Sequence, residues 1–360
     1  MQLHQILVSA NPGDAITDAA FEIRELLRQI GPSEIYARFA HPKLQNDVKP
    51  LHEFSKRRTN TMGRDLIVFH ASIGEPEVTE FVGHRPERLV VMYHNISPSK
   101  RFLAFDPRKA GLLASGRLEV ASLADKALGA LTFSQYNANE LTDMGFRNVS
   151  VMPLIVDVNR LTHVEPFEPT MNHFRNIEGP VILFVGQLLP HKRPDRLVQA
   201  YHVLTTYLMP EAWLAIVGNH LLPRFADHIT HEINELNLNR AWMTGSVDLE
   251  TLVAMYRNAD LFVTMSEHEG FCVPLLEAMG FGVPVLARDI AAIPETMGDA
   301  GVLLPEDASL ELIAEAMSEM LTNQPLRDDL IKKGYHRVGG FDPDIARAEI
   351  LNNILTVAAS

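Results

Sequence analysis

Short apolar segments rich in β-branched residues alternate with amphipathic segments along almost the whole chain. The apolar segments carry hydrophobic residues at consecutive positions, as parallel strands do when helices cover both faces of their sheet. Parallel neighbours need a crossover between them, so this alternation predicts an α/β fold. The predicted strands form two series: first Leu3–Ser9, Glu34–Arg38, Asp65–His70, Leu89–Tyr93, Ala130–Phe133 and Val149–Met152, then Val181–Gly186, Trp213–Gly218, Arg240–Thr244, Leu261–Ser266, Val283–Ala287 and Val302–Leu304.

A stretch without sustained periodicity, Leu161–Pro180, separates the two series and is typical of an interdomain linker. A chain of 360 residues is long for one domain and suits two. Two doubly wound, Rossmann-like sheets in tandem are therefore predicted. The predicted bounds are 1–165 for the first domain, 166–180 for the linker, 181–340 for the second domain and 341–360 for a C-terminal helix.

The composition of the chain excludes some classes of protein function. A net charge of −13 argues against a nucleic-acid partner, which requires a broad cationic face. Cys272 is the single cysteine, so no intrachain disulfide forms, and we see neither an export signal nor an apolar run of about 20 residues. These observations predict a cytoplasmic protein that does not bind nucleic acid. One local basic group (Lys49, Lys56, Arg57, Arg58 and Arg64) is either a solvated loop or a contact for an acceptor or anionic lipid.

The loop after the fourth strand of the second series carries the densest set of polar groups. Gly270 lets the backbone approach a ligand closely, and Pro274 suits the first position of a helix. The amides of Phe271–Val273 then form an anion site at the helix N-terminus. Glu269 and Glu277 can face one cleft and accept hydrogen bonds from sugar hydroxyls. Glu277 could instead be a surface residue that favours the helix dipole.

Three other strand ends carry candidate groups. Lys192 and Arg193 follow the first strand of the second series, where a lysine can neutralise a departing diphosphate, or the pair is simply solvated. Gly13 and Asp14 follow the first strand of the chain, although the sequence has no G-x-G-x-x-G fingerprint there. His94 follows a strand in the first half and is either functional or a structural histidine.

Segments from both halves match one family in order and spacing. In the second half these are "LFVGQLLPHKRPDRLVQAY", "WMTGSVDLETLVAMYRNADLFV" and "SEHEGFCVPLLEAMGFGVPVLARDIAAIPETMGDAGVLL", which holds the Glu269 and Glu277 pair. The chain resembles the family-4 retaining glycosyltransferases of the GT-B fold. The segments "PGDAITDAAFEIRELLRQIGPSEIYA", "HASIGEP" and "MYHNISP" resemble a bacterial subgroup that builds surface polysaccharides. The resemblance implies two Rossmann-like domains across a cleft, with the C-terminal helix crossing back to the first.

The resemblance also implies roles for individual residues. Glu277 would bind the donor ribose, Glu269 the hydroxyls of the donor sugar, and Lys192 the diphosphate, while His94 would lie beside the transferred sugar. We therefore expect His94, Lys192 and Glu269 to be catalytic. The implied donor-binding residues are Gly13, Asp14, Gly186, Gln187, Arg193, Gly245, Val247, Gly270, Phe271, Cys272, Val273 and Glu277, with Gly245 and Val247 near the base.

One position departs from the family pattern. The family has arginine after the glycine of the first loop of the donor domain, and here that residue is Gln187. Part of the positive charge on the diphosphate is then missing, and either Arg193 replaces it or donor affinity is lower. Asp195 is expected to be structural.

The expected activity is retaining transfer of a hexosyl group from a UDP- or GDP-sugar to a glycan or lipid-linked glycan acceptor. No DxD motif lies at a convincing strand end, so neither a metal nor a cofactor is expected. Peripheral contact with the inner face of the cell membrane is an additional expectation. The alternatives are a nucleotide-sugar epimerase, a sugar phosphorylase, a two-domain solute-binding protein or a non-catalytic homologue. The sequence does not identify the sugar, base, acceptor, linkage or oligomeric state.

Overall fold

Seven parallel strands form the first sheet of the computed structural model, which describes residues 1–56 and 64–359. Their order is β3-β2-β1-β4-β5-β6-β7, so the direction of winding reverses between β1 and β4. Every adjacent pair in this sheet is parallel. The strands are β1 Leu3–Ala10, β2 Ile35–Ala40, β3 Val48–Pro50, β4 Leu66–Ala71, β5 Arg88–Tyr93, β6 Gly129–Thr132 and β7 Val149–Val151.

Helices connect these strands as the sequence predicts. They are α1 Ala15–Arg28, α2 Leu51–Phe54, α3 Pro76–Gly83, α4 Pro107–Ser122 and α5 Gln135–Asp143, with short 3-10 turns at Pro42–Leu44 and Ser99–Phe102. The first helix begins where Asp14 caps it, because the Asp14 carboxylate accepts a hydrogen bond from the Thr17 amide. The apolar face of α1 is buried, including Ile23 and Leu27.

Six parallel strands form the second sheet, in the order β10-β9-β8-β11-β12-β13. Here the winding reverses between β8 and β11. The strands are β8 Val181–Val185, β9 Trp213–Val217, β10 Ala241–Gly245, β11 Leu261–Thr264, β12 Val285–Arg288 and β13 Val302–Leu304. The accompanying helices are α6 Val158–Thr162, α7 Glu168–Arg175, α8 Pro194–Tyr207, α9 Pro223–Glu235, α10 Leu249–Asn258, α11 Val273–Gly280, α12 Ile293–Met297, α13 Leu310–Thr322 and α14 Gln324–Gly339, with a 3-10 turn at Pro190–Lys192.

The chain divides into two units, one around each sheet. The first unit contains Met1–Lys100, Pro107–Ile155 and Asp342–Ser360, and the second contains Arg101–Asp106 and Val156–Phe341. The last helix, α15 Pro343–Ala359, belongs to the first unit and packs beside α1, β5 and β6. The two tandem parallel sheets and the return of the C-terminal helix to the first unit are as expected.

The predicted strands agree with the structure to within one or two residues, apart from one omission. Strand β3 was not predicted, because its three residues end in a proline and lie at the edge of the sheet. The predicted linker differs more. Residues 166–180 carry helix α7 and lie inside the second unit, where the buried Phe174 anchors that helix.

The central strands of both sheets are buried on their two faces. Strand β4 is buried along its whole length, and so is β11. In open parallel sheets of this kind ligands bind beyond the carboxyl ends of the strands where the winding reverses. That rule directs attention to the loops after β1, β4 and β5 in the first unit and after β8 and β11 in the second.

Candidate functional site

The two loops that border the reversal in the second sheet carry most of the predicted donor-binding residues. One runs from the end of β8 to the start of α8, and the other from the end of β11 to the start of α11. Because β8 and β11 are neighbours and parallel, their carboxyl ends meet at one edge of the sheet. The Glu267 amide donates to the His191 carbonyl at 2.8 Å, which joins the two loops directly.

Lys192 and Glu269 form an ion pair between these loops. The Lys192 Nζ lies 2.6 Å from Oε1 and 2.7 Å from Oε2 of Glu269. The Glu269 Oε1 also accepts from the Ser266 hydroxyl at 2.7 Å, and Ser266 contacts Thr264 at 3.0 Å. Glu269 is 7% exposed, whereas the Lys192 side chain is 20% exposed. The pair is therefore reachable from solvent on the lysine side.

The surroundings of Lys192 keep it charged. Burial acts to lower the pKa of Lys192, but the Glu269 carboxylate, through its charge and its hydrogen bonds, outweighs burial and raises it. A permanently charged ammonium in a partly desolvated loop is suited to binding an anion. In this structure the Glu269 carboxylate binds the Lys192 ammonium, so an incoming diphosphate would compete with that carboxylate.

Cys272 lies at the N-terminus of α11, and the charges of both Glu269 and Glu277 act on its thiol. Its backbone is left-handed, with φ of 77°, and its carbonyl accepts from the Leu275 amide at 3.1 Å. Burial raises the pKa of the Cys272 thiol well above its ordinary value; the Glu269 charge, and to a lesser degree Glu277, raise it further, while Lys192 lowers it. The thiol is thus neutral. The left-handed residue turns the chain sharply into α11, which places Phe271–Val273 at the helix N-terminus.

Glu277 has its own partner on α10. The Tyr256 hydroxyl donates to Glu277 Oε2 at 2.7 Å, and the Tyr256 ring stacks on Phe281 with 5.3 Å between centroids. Burial raises the pKa of Glu277 and burial also raises that of Tyr256. One carboxylate oxygen of Glu277 is thus oriented by a buried phenol. This geometry holds the carboxylate in a fixed direction, which a freely solvated surface glutamate would lack.

Arg193 is engaged by two carboxylates. Its Nε donates to both oxygens of Asp195 at 3.0 Å, and its Nη1 binds Glu267. Glu267 is shared with Arg101, at 2.5 Å, and with Arg288, at 3.4 Å. Burial acts to lower the pKa of Arg193, and Asp195 and Glu267 together raise it. Its guanidinium is therefore committed to this network, which makes it a poor replacement for the arginine missing at Gln187.

Gln187 itself is exposed and lies in the loop after β8. The preceding Gly186 donates to the Val217 carbonyl at 2.9 Å. Gly218 approaches this turn so closely that a Cβ there would lie 1.8 Å from the Gly186 carbonyl oxygen. A side chain at Gly218, where φ is +154°, would displace the loop that carries Gln187.

The predicted base-side residues lie at the end of β10. Gly245 has φ of +71° and its carbonyl accepts from the Gly218 amide at 3.0 Å. Val247 lines a cavity of about 340 Å³ together with Trp242, Phe174 and Met255. The cavity is therefore largely apolar and aromatic, and it lies beside the loop for which a base contact is expected.

In the first unit, Gly13 and Asp14 form the loop between β1 and α1. Gly13 has φ of +70°, which favours glycine. The Asp14 Oδ2 accepts from the Thr17 amide at 3.1 Å and from its hydroxyl at 3.0 Å. Asp14 therefore serves as the helix cap, and the sequence prediction of a ligand contact for it stays a prediction.

His94 directly follows β5, and its amide donates to the Ala71 carbonyl at 2.9 Å. Its Nε2 lies 2.8 Å from Nδ1 of His70, and its ring contacts Phe133. Burial lowers the pKa of His94 to about 3, so the imidazole is neutral. His94, Gly13 and Asp14 thus share one end of the first sheet.

Sequence reasoning missed several partners of these residues. Three of them bind predicted site residues directly: Ser266 binds Glu269, Tyr256 binds Glu277, and Glu267 binds Arg193. Two others, Gln5 and His70, are hydrogen-bonded to each other, and His70 contacts His94. A signal exists for the last two, since each is a polar residue inside a strand of mostly apolar residues, although β1 also contains His4 and Ser9. Within residues 1–56 and 64–359, no group of three His, Cys, Asp or Glu side chains is arranged to hold a metal ion.

Comparison with known proteins identifies a family for part of the second unit. Residues 171–337 match the model of the glycosyl transferases group 1 family. The chain is 28% identical over 279 residues to O-antigen chain mannosyltransferase B of Escherichia coli, covering 76% of this chain and 71% of that protein. It is 26% identical to a GDP-mannose-dependent mannosyltransferase of Corynebacterium glutamicum that acts on a monoacylated phosphatidylinositol monomannoside, covering 49% of this chain and 47% of that protein.

The fold also matches solved structures over its whole length. Anabaena HepE, solved in complex with UDP and glucose, superposes with a TM-score of 0.78 at 17% identity, covering 99% of this chain and all of that one. The match supports the two-sheet architecture. The lysine and glutamates described above all lie within residues 171–337. The chain is a glycosyltransferase, and its second unit carries a glycosyl transferases group 1 domain.

Proposed function

We propose that the chain transfers a hexosyl group, with retention of anomeric configuration, from a nucleoside-diphosphate sugar to a glycan or lipid-linked glycan in polysaccharide biosynthesis. The observation that carries the proposal is the ion pair between Lys192 and Glu269 at the reversal between β8 and β11. We favour GDP-mannose as donor, because both relatives named above are mannosyltransferases and the second is named as GDP-mannose-dependent.

The chemistry demands stabilisation of a leaving diphosphate. Lys192 supplies a charge, and the amides at the start of α11 supply oriented donors. Donor binding would exchange partners: the diphosphate takes Lys192, and the sugar hydroxyls take the carboxylate of Glu269. The ion pair then preorganises both groups before the donor arrives.

Glu277 is proposed to hold the ribose of the nucleotide. Glu277 is half-buried and one of its carboxylate oxygens is fixed by Tyr256, so the other can accept from hydroxyls without further loss of rotamer freedom. The apolar cavity beside Val247 and Trp242 is proposed to receive part of the base. Transfer is proposed to need neither a metal nor a cofactor.

The acceptor and the cellular location are also proposals. We place the enzyme in the cytoplasm, in peripheral contact with the inner face of the cell membrane. No helix of the described residues is both long enough and apolar enough to cross a bilayer. Of the basic group noted above, Lys49 lies 3.5 Å from Glu34 and Lys56 is exposed, while Arg57 and Arg58 lie outside the described residues.

The test is release of free nucleotide from GDP-mannose and UDP-glucose, with and without mannose-terminated oligosaccharide acceptors. We expect acceptor-dependent GDP release, an α-configured product by NMR, and rates unaffected by EDTA. Release of nucleotide that requires inorganic phosphate would indicate a phosphorylase. Conversion of the donor sugar to its epimer without an acceptor would indicate an epimerase. Binding of nucleotide without turnover of any donor would indicate a non-catalytic homologue. Each of these three results contradicts the proposal.

A further inference from the structure

A chain of hydrogen bonds crosses three neighbouring strands of the first sheet. Gln5 lies on β1, His70 on β4, and His94 follows β5. The Gln5 Oε1 is 2.8 Å from Nε2 of His70, and the His70 Nδ1 is 2.8 Å from Nε2 of His94. Gln5 is 0% exposed and His70 is 1% exposed, whereas His94 is half-buried. The chain thus runs from the core to the end of the sheet where the candidate residues lie.

The carbonyl of Ala20 on α1 sets the direction of the whole chain. The Gln5 Nε2 donates to that carbonyl at 2.9 Å. A carbonyl only accepts, so the amide nitrogen of Gln5 must face Ala20 and its oxygen must face His70. Since an amide oxygen also only accepts, the Nε2 of His70 must carry a proton.

The protonation of His70 then decides that of His94. Burial, and secondarily His94, lowers the pKa of His70 well below its ordinary value, so the ring is neutral. A neutral imidazole with its proton on Nε2 has a bare Nδ1, which accepts a hydrogen bond. The Nε2 of His94 must therefore donate to it. His94 is neutral as well, so its proton is on Nε2 and its Nδ1 is an acceptor.

We propose that Gln5 and His70 are positioning residues that hold His94 in the tautomer with the proton on Nε2, so that its Nδ1 accepts a hydrogen bond from a substrate hydroxyl. This inference rests on the proposed function, which supplies a sugar as substrate. A bare imidazole nitrogen attracts a hydroxyl and repels a phosphate oxygen. His94 is thereby assigned to a hydroxyl of the transferred sugar or of the acceptor and not to the diphosphate.

The backbone around His94 is fixed to match. Asn95 is left-handed, with φ of 73°, and its side-chain Nδ2 donates to Oδ1 of Asn137 at 2.8 Å. The Ile96 amide donates to the Tyr93 hydroxyl at 3.1 Å, and its carbonyl accepts from Arg117 at 2.8 Å. The segment directly after the histidine is thus constrained, which helps to hold the ring in one position, as a directional hydrogen bond requires.

The tautomer is directly measurable by NMR on the full-length protein. Long-range ¹H–¹⁵N correlation of ¹⁵N-histidine-labelled protein, assigned with His94→Gln, should give His94 a protonated Nε2 and a bare Nδ1 between pH 6 and 8 (a range chosen around the ordinary histidine pKa). Gln5→Leu removes the acceptor for His70, whose proton can then move to Nδ1 and reverse the tautomer of His94. A protonated Nδ1 in the wild-type protein would overturn the proposal, as would an unchanged His94 spectrum in Gln5→Leu.

Kinetics with GDP-mannose separates positioning from structure. His70→Asn keeps an acceptor for His94, whereas His70→Leu does not. We expect the kcat of His70→Leu to be lower than that of His70→Asn by at least roughly 10-fold. For comparison, the wrong histidine tautomer lowers the kcat of a serine protease by about 10⁴-fold. GDP affinity should be unchanged in both. Equal losses of kcat in the two variants, or losses matched by GDP affinity, would overturn the role.

A control lies on the same strand. His4 points away from Gln5 across β1, and its Nδ1 accepts from the Glu34 amide at 3.1 Å. His4→Gln should leave kcat and the His94 spectrum unchanged, and a loss equal to that of Gln5→Leu would overturn the assignment. Absence of transfer by the wild-type protein would refute the proposed function alone, since the NMR result is independent of turnover.

Discussion

Glu269→Gln is the substitution whose consequence can be worked furthest from the structure. It keeps the shape of the side chain and an oxygen for the Ser266 hydroxyl, which now donates at 2.7 Å. It removes the negative charge that Lys192 contacts at 2.6 and 2.7 Å. If Glu269 orients the transferred sugar, transfer should fall by about 100-fold, the size of effect that a loss of positioning produces.

The affinity for free GDP should not fall together with the rate of transfer. In the ligand-free protein the diphosphate must displace a carboxylate from Lys192, and hydrogen bonds to charged groups contribute about 1.5–3 kcal/mol each. Removing that competitor costs the product nucleotide nothing, because GDP has no sugar to contact Glu269. We therefore expect GDP affinity to stay at the wild-type level or to rise.

Calorimetry with GDP and a transfer assay on the same preparation decide the matter. Glu315→Gln, on the exposed surface of α13, is the matched control for loss of one carboxylate. Thermal unfolding must be measured too, since removing one partner of a buried ion pair destabilises by several kcal/mol, less here because Lys192 is partly exposed. A fall in GDP affinity as large as the fall in transfer would refute the assignment of Glu269 to the sugar.

Four further results are expected. Glu277→Gln should weaken GDP binding by at least about 10-fold, because the ribose loses a charged acceptor worth about 1.5–3 kcal/mol; unchanged GDP affinity in calorimetry would remove it from the ribose site. Lys192→Ala should weaken GDP binding and slow transfer by a similar factor, and unchanged transfer would exclude Lys192. Gln187→Arg should tighten GDP binding, since Arg193 is committed to Asp195 and Glu267; no gain would indicate that the diphosphate is already neutralised. His94 is held neutral with a pKa of about 3, against an ordinary value near 6.5, so the unfolded chain binds a proton that the folded one excludes and stability should fall as pH drops from about 6.5 towards 3; His94→Gln should flatten that dependence in pH-resolved thermal unfolding, and an unchanged slope would contradict the neutral form.

The sequence predicted the sheets well because their strands are apolar on both faces. Such segments, for example Leu66–Ala71, are distinct from the amphipathic helices that flank them. The Glu269 and Glu277 pair was found because both lie in one contiguous motif at a strand end. The short edge strand Val48–Pro50 was not found, since three residues give no periodicity and its pairing with β2 is long-range.

The partners of the predicted site residues were harder to foresee. Tyr256 reaches Glu277 across 21 positions and Lys192 reaches Glu269 across 77, and no local pattern encodes such a separation. Arg193 was expected to bind the donor, but it pairs with the neighbouring Asp195, and Glu267 also engages it once the loops after β8 and β11 are brought together. The polar residues Gln5 and His70 inside apolar strands were visible in the sequence, but their connection depends on the strand order β1-β4-β5.

A crystal structure of the protein with GDP bound tests the central claim most directly. The account predicts the diphosphate at the carboxyl ends of β8 and β11, with Lys192 Nζ within about 3.2 Å of a phosphate oxygen. A ribose hydroxyl should donate to the carboxylate of Glu277. GDP bound elsewhere, or bound at this edge with Lys192 still paired to Glu269 and no contact to Glu277, would contradict the account.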